Sequence, residues 1–256
     1  MIHSTAIVDP AAELADDVSV GPYSIIGAGV RIEAGTRVGP HVVIRGPTRI
    51  GRNNRIFQFA SVGEDPQDKK YQGEVTRLEI GERNVIREYC TIHRGTVQDK
   101  ELTRVGNDNL FMAYTHVAHD CVVGNHVIMA NAASLAGHVL VEDNAILGGF
   151  SLVHQFCKIG PHSFSAMGSV ISRDIPPYVM VGGRPTKPHG INSVGLERQG
   201  ISAEAIRQIR KAYKVVYMSG MKLDDAIKVL EEMAANTPEI SCMADFLRQT
   251  GRSILR

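Results

Sequence analysis

VSVGPYSIIGAGVRIEAGTRVGPHVVI, residues 18–44, carries an aliphatic side chain at every sixth position: Val20, Ile26, Ile32, Val38 and Ile44. The same ruler takes in Ile2, Val8 and Leu14 before this stretch and Ile50, Ile56 and Val62 after it. It resumes at Ile80, Ile86 and Ile92. A shifted phase then runs from Val105 through Phe111, Val117, Val123, Met129, Leu135, Val141, Leu147 and Val153 to Ile159, lapses at Ser165 and returns at Ile171. A period of six is neither the 3.6 of a helix nor the two of a simple strand. It fits a parallel β-helix of hexapeptide repeats, a mainly β fold in which each hexad supplies one short strand and one corner. Three hexads close a triangular coil, the aliphatic residue points inward, and residues one coil apart stack at about 4.8 Å.

Glycine often follows the aliphatic residue, as at Gly21, Gly27, Gly39, Gly51 and Gly81, and is expected to accept positive φ at the corners. Cys90, Cys121 and Cys157 sit two places before an inward residue and read as packing residues. Two polar segments interrupt the ruler, at about 64–77 and 94–104; insertions of this kind leave a prism as corner loops and often carry function. The prism is predicted to span residues 1–190. Beyond it, 191–256 reads as a C-terminal α-helical domain. Ser202 caps a helix with Ile206, Ile209, Tyr213 and Val216 at helical spacing, "LDDAIKVLEEMA" supplies a second, and Pro238 opens a third. This tail would also cover one end of the prism.

Hydrophobic residues make up 43% of the 256, with no Trp, so the core must be built from Val, Ile, Leu and Ala. A net charge of +1 gives no electrostatic case for nucleic acid. No apolar run approaches the roughly 18 residues of a membrane span. The opening residues MIHSTAIVDP lack a secretion signal, and four Cys without CxxC spacing suggest reduced thiols in a cytoplasmic protein.

Used as a coordinate, the 18-residue coil places His119, Gly137 and Gln155 in one column and Asp120, His138 and Phe156 in the next, with His154 beside both and His116 just before. None is at an inward position. A neutral imidazole can take a proton from an attacking alcohol, a neighbouring carboxylate can orient the ring, and an unshielded N–H can stabilise an oxyanion. The grouping therefore suits acyl transfer. A metal site built from His116, His119 and His138 is the sharper alternative; no metal and no cofactor is expected.

The stretches "QFASVGEDPQDKKYQGEVTRLEIG", "IREYCTIHRGT", "NLFMAYTHVAHDCVVGN", "LAGHV", "VHQFC" and "AIRQIRKAYKVVY" resemble the acyl-carrier-protein–UDP-N-acetylglucosamine O-acyltransferase family, which opens lipid A biosynthesis. The resemblance implies a left-handed β-helix, a homotrimer with sites between subunits, and two substrates, a 3-hydroxyacyl-loaded acyl carrier protein and UDP-N-acetylglucosamine. It implies His119 as general base for the glucosamine 3-hydroxyl, Asp120 as its support, and the Gly137 N–H as oxyanion donor. His116, His138, His154 and Gln155 would bind the nucleotide sugar or acyl group. Asp68 would contact the hydroxyacyl group, Lys70 the phosphates, and Asn192 and Arg198 the uridine end. Met167 would measure acyl length, at ten to twelve carbons, unless it is a core or interface residue. Arg198, Arg207, Arg210, Lys211 and Lys214 are candidates for docking the acidic carrier. Val194 and Gln199 depart from the Glu and Arg common in the family. An N-acyltransferase for an amino sugar and a non-catalytic trimeric scaffold are the competing readings.

Overall fold

In a computed structural model describing residues 1–251 and 253–256, most strands are only two or three residues long, and every third strand pairs in parallel. Three sheets of nine, eight and ten strands result, the faces of a left-handed β-helical prism. Val20, Ile26, Ile32, Val38, Ile44, Ile50, Ile56 and Val62 are all at most 3% exposed and stack along the axis. The hexad places one such residue at each strand, so every coil adds three aliphatic side chains to a continuous core. Full burial of each stabilises by about 1.5–3 kcal/mol. Ser165, where the ruler lapses, is also inward; its hydroxyl bonds Ser151 Oγ at 2.8 Å, which satisfies both groups inside the core.

Uninterrupted coils pair residues eighteen apart. Across the first insertion Val62 pairs with Ile92, thirty apart, twelve more than a plain coil. Twelve is two hexads, so the phase survives. Across the second, Thr91 pairs with His116, twenty-five apart, seven more, and the phase moves by one.

The corners differ from expectation. Of the glycines that follow inward residues only Gly63 has positive φ. The left-handed residues include Tyr23, His41, Phe59, Tyr89 and Tyr114 on one edge, Asp120, His138 and Phe156 on another, and Asn53, Arg83, Asp108, His126 and Asn144 on the third. The glycines are small for a different reason: a Cβ on Gly51 would lie 2.6 Å from Gly81 O, and one on Gly81 2.6 Å from Gly106 O. Neighbouring coils approach too closely there for any side chain. On the first edge the rings of Tyr23, His41, Phe59, Tyr89 and Tyr114 stack in one file with centroids 4.8–5.3 Å apart.

Beyond the last coil, Lys187–Ile191 turns back antiparallel onto Val179–Gly182, and four helices follow: α1 (Ser193–Arg198), α2 (Ala203–Met218), α3 (Leu223–Ala234) and α4 (Glu239–Arg248). Ser202 caps α2, accepting from Ala205 N–H at 3.1 Å. Pro238 precedes α4 rather than opening it, and α1, capped by Asn192, was not evident from periodicity because it is under two turns long. Ile206, Ile209, Val216, Leu230 and Ile240 form a second core. The end of the chain closes the prism: Leu255 packs into the prism core, and Asp174 pairs with the backbone of Ser253 and Leu255.

Candidate active site

The corner between the nine- and eight-stranded sheets carries the predicted columns. The strand His116–Val117 ends, the chain turns through Ala118, His119 and Asp120, and Val122–Val123 begins the next face. The coil below repeats this turn at Gly137 and His138, the one below that at Gln155 and Phe156. Asp120, His138 and Phe156 all have φ near +60°, but so does a residue at nearly every corner, so this backbone belongs to the fold and is not strain peculiar to the site.

His119 lies across the face of Gly137: a Cβ there would meet its Cε1 at 2.5 Å and Nε2 at 2.7 Å. The Gly137 carbonyl accepts from Phe156 N–H, while among the described residues its own N–H has no backbone acceptor. His119 Nδ1 stands 2.9 Å from Asp120 Oδ2. A carboxylate only accepts, so Nδ1 carries the proton and Nε2 is left with a lone pair. Asp120 is fully covered, though outside the prism wall, because the second insertion folds over it. Thr96 donates its N–H to Oδ1 at 2.9 Å and its hydroxyl to Oδ2 at 2.5 Å. Burial works against the charge on Asp120, but the bonds from His119 and Thr96 outweigh it and hold the carboxyl below its ordinary range.

A cavity of about 870 Å³ opens in front of this pair, lined by His119, His138, Gln155 and Phe156 and by Asp68 and Lys70 from the first insertion. Its size suits a substantial ligand. His138 stacks on Phe156 with centroids 4.4 Å apart and meets the ring of His119 edge-on at 5.0 Å. His119, Asp120 and His138 offer ligand atoms within 4.8 Å of one another, a spacing open to a cation. The imidazole Nδ1 atoms of both face carboxylate oxygens at 2.9 Å, however, which makes two hydrogen-bonded pairs of them.

Other predicted residues lie elsewhere. His116 projects from the outer face of the nine-stranded sheet, its Nδ1 2.7 Å from Thr91 Oγ1, and takes no part in the His119 donor cluster. His154 follows on the same face, one residue past the strand Leu152–Val153. Asn192 is occupied in structure: its Oδ1 accepts from Gly195 N–H and its Nδ2 donates to His162 O. Arg198 is exposed at the end of α1. Met167 is 78% exposed at a corner, so it is not a core residue.

Three features carried no sequence signal. His93 is buried against His116, and burial, reinforced by His116, pushes it down to about 4. Burial and then His119 lower His116 as well. Arg94, also buried, donates to the carbonyls of Gly46 and Gly63 and to Asp65 and Tyr71, and so fastens the first insertion to the prism. Asp99, on the second insertion, pairs with His138.

A family model described as UDP N-acetylglucosamine O-acyltransferase, domain 2, matches residues 174–255. Acyl-[acyl-carrier-protein]–UDP-N-acetylglucosamine O-acyltransferases of Halorhodospira halophila and Thiobacillus denitrificans are each 56% identical over 255 residues, covering 100% of this chain and 99% of their own. Among solved structures, LpxA of Acinetobacter baumannii superimposes with a TM-score of 0.97 at 52% identity, covering 100% of this chain and 99% of that one. The UDP-N-acetylglucosamine acyltransferase of Francisella novicida does so with a TM-score of 0.98 at 41% identity, covering 100% and 94%.

Proposed function

Because this chain belongs to the acyl-[acyl-carrier-protein]–UDP-N-acetylglucosamine O-acyltransferase family, we infer that it transfers an acyl group from acyl carrier protein to UDP-N-acetylglucosamine, the first step of lipid A biosynthesis, with His119 as general base. The observation that carries the assignment of the base is the His119–Asp120 pair lying directly over Gly137 at the mouth of the cavity. Asp120 fixes the proton on Nδ1, and Nε2 takes the proton of the sugar 3-hydroxyl as that oxygen attacks the thioester carbonyl. The Gly137 N–H receives the oxyanion. When the C–S bond breaks, the proton on Nε2 passes to the departing thiolate and the imidazole is neutral again. No covalent acyl-enzyme is needed. Cys121 lies inside the prism with its thiol pushed up to about 12 by burial, which makes it a poor nucleophile. His119→Ala should lower turnover in a direct acyl-transfer assay by about 10²–10⁴-fold with the fold intact; near-normal turnover would remove the assignment.

Asp68 and Lys70 reach the same cavity and are assigned to the 3-hydroxyacyl group and the phosphates. Between the cavity and Met167 lies the outer face of the nine-stranded sheet, where Leu152 and Val170 are more than half exposed. This apolar track is the proposed bed of an acyl chain of ten to twelve carbons, ended by Met167. Met167→Gly, tested by mass spectrometry against a panel of acyl-carrier thioesters, should shift the preferred product to longer chains.

His116, His154, Asn192 and Arg198 are assigned to a site completed by a second copy in a homotrimer. Supporting this, Leu110, Ile128, Ile146, Phe164 and Met180 form an in-register apolar stripe on the outer face of the ten-stranded sheet. Such a stripe favours burial against another surface. Arg207, Arg210, Lys211 and Lys214 are exposed along α2 and form a basic face for the acidic carrier. No helix among the described residues is long and apolar enough to cross a membrane. The chain's four cysteines stay as thiols, three of them buried, which agrees with a cytoplasmic setting.

A further inference from the structure

We propose that Asp99, on the second insertion, is a positioning residue that holds His138 away from Asp120 and so protects the His119–Asp120 pair. The inference rests on the reading of His119 as base. His138 Nδ1 lies 2.9 Å from Asp99 Oδ2 and 3.9 Å from Asp120 Oδ2. Two carboxylates therefore compete for one imidazole N–H. The Asp120 oxygen in question is already occupied: it accepts from Thr96 Oγ1 and from His119 Nδ1. A carboxylate oxygen offers about two lone-pair sites. A third donor could enter only by loosening one of the existing bonds, and the bond from His119 is the longer of the two.

The other contacts of His138 do not prevent this. Stacking on Phe156 and the edge contact with His119 fix the plane of the ring. Changes in χ1 can still carry the ring along the stack, and the bond to Asp99 is what holds Nδ1 away from Asp120. The second insertion thus acts on both imidazoles, through Thr96 on the carboxylate that serves His119 and through Asp99 on the ring that would otherwise compete for it. Asp99 lies on a loop with its side chain about one-third exposed, so it is not part of the folding core.

The test is a mutant cycle read in kcat and KM, with melting temperature as control. Asp99→Ala should lower kcat about tenfold by freeing His138 to compete, with KM and melting temperature nearly unchanged. Asp99→Asn, which keeps an acceptor oxygen, should restore most of the rate. In a His138→Ala background Asp99→Ala should cost nothing further, because the competitor is gone. An unchanged kcat in Asp99→Ala, an equal loss in Asp99→Asn, or an additive loss in the double variant would each overturn the inference. The last two results would make Asp99 a loop anchor. The reading of His119 fails separately, by turnover in His119→Ala; abolished turnover there with an unaltered Asp99→Ala would defeat only the present inference.

Discussion

His119 has no freedom on the side facing the prism, because its ring occupies the space a Cβ on residue 137 would fill. Glycine is required there for proximity. Gly137→Ala must push the imidazole outward by a substantial part of an ångström, since 2.5 Å is far inside any normal carbon–carbon contact. A shift of about 1 Å can cost a hundredfold in rate. The expectation is a drop in kcat of about that size with a melting temperature close to that of the unaltered protein, measured side by side. The pair was visible in the sequence because the coil from Val105 onward is an uninterrupted eighteen residues, so position 119 falls over 137 by counting alone. Thr96 and Asp99 were not visible. They lie within an insertion that adds seven residues, and a loop has no period from which to place its side chains.

Each coil meets the next through backbone bonds and, at one inner corner, through a file of amides. Asn54 Oδ1 accepts from the N–H and Nδ2 of Asn84, Asn84 Oδ1 accepts from Asn109 N–H, and Asn109 Oδ1 accepts from Val127 N–H. These side chains are at most 1% exposed, so no water can replace a lost partner. Asn84→Ala would strand the Gly106 carbonyl and the Asn109 N–H, while Asn54 Oδ1 would keep only the backbone N–H of residue 84. The expected loss is roughly 2–4 kcal/mol in denaturant unfolding, whereas Arg31→Ala on the exposed face should change stability by well under about 1 kcal/mol. The hexad rule foretold the inward aliphatics at this level and misassigned the glycines. A spacing in sequence shows that a position must be small, but it does not say whether φ or a neighbouring backbone imposes the demand.

For the molecule as a whole, the buried imidazole of His93 ties stability to pH. Its ordinary value is 6.5, and in the folded chain it lies at about 4. Between these values the unfolded chain binds the proton more strongly, so stability is full above pH 6.5 and falls as pH drops toward 4. This one group accounts for roughly 3 kcal/mol across that window. His93→Gln should flatten the wild-type decline in unfolding free energy between pH 6.5 and 4, by up to about one proton's worth of slope; parallel curves would show that another group is responsible. Sequence alone could not reveal this, because His93 is brought under His116 only by the lengthened coil.

The file of rings along the first edge makes the prism report on itself. The chain has no Trp, and three of its seven Tyr, residues 23, 89 and 114, stand in that file, with Tyr89 and Tyr114 within 3° of parallel. Near-ultraviolet dichroism of the unlabelled protein should therefore carry a contribution from these phenols on one edge, beside that of the Tyr213–Tyr217 pair on α2. The difference spectrum between Tyr114→Phe and the unaltered protein separates that contribution from the helical tail and gives an optical gauge of coil stacking that needs no added dye.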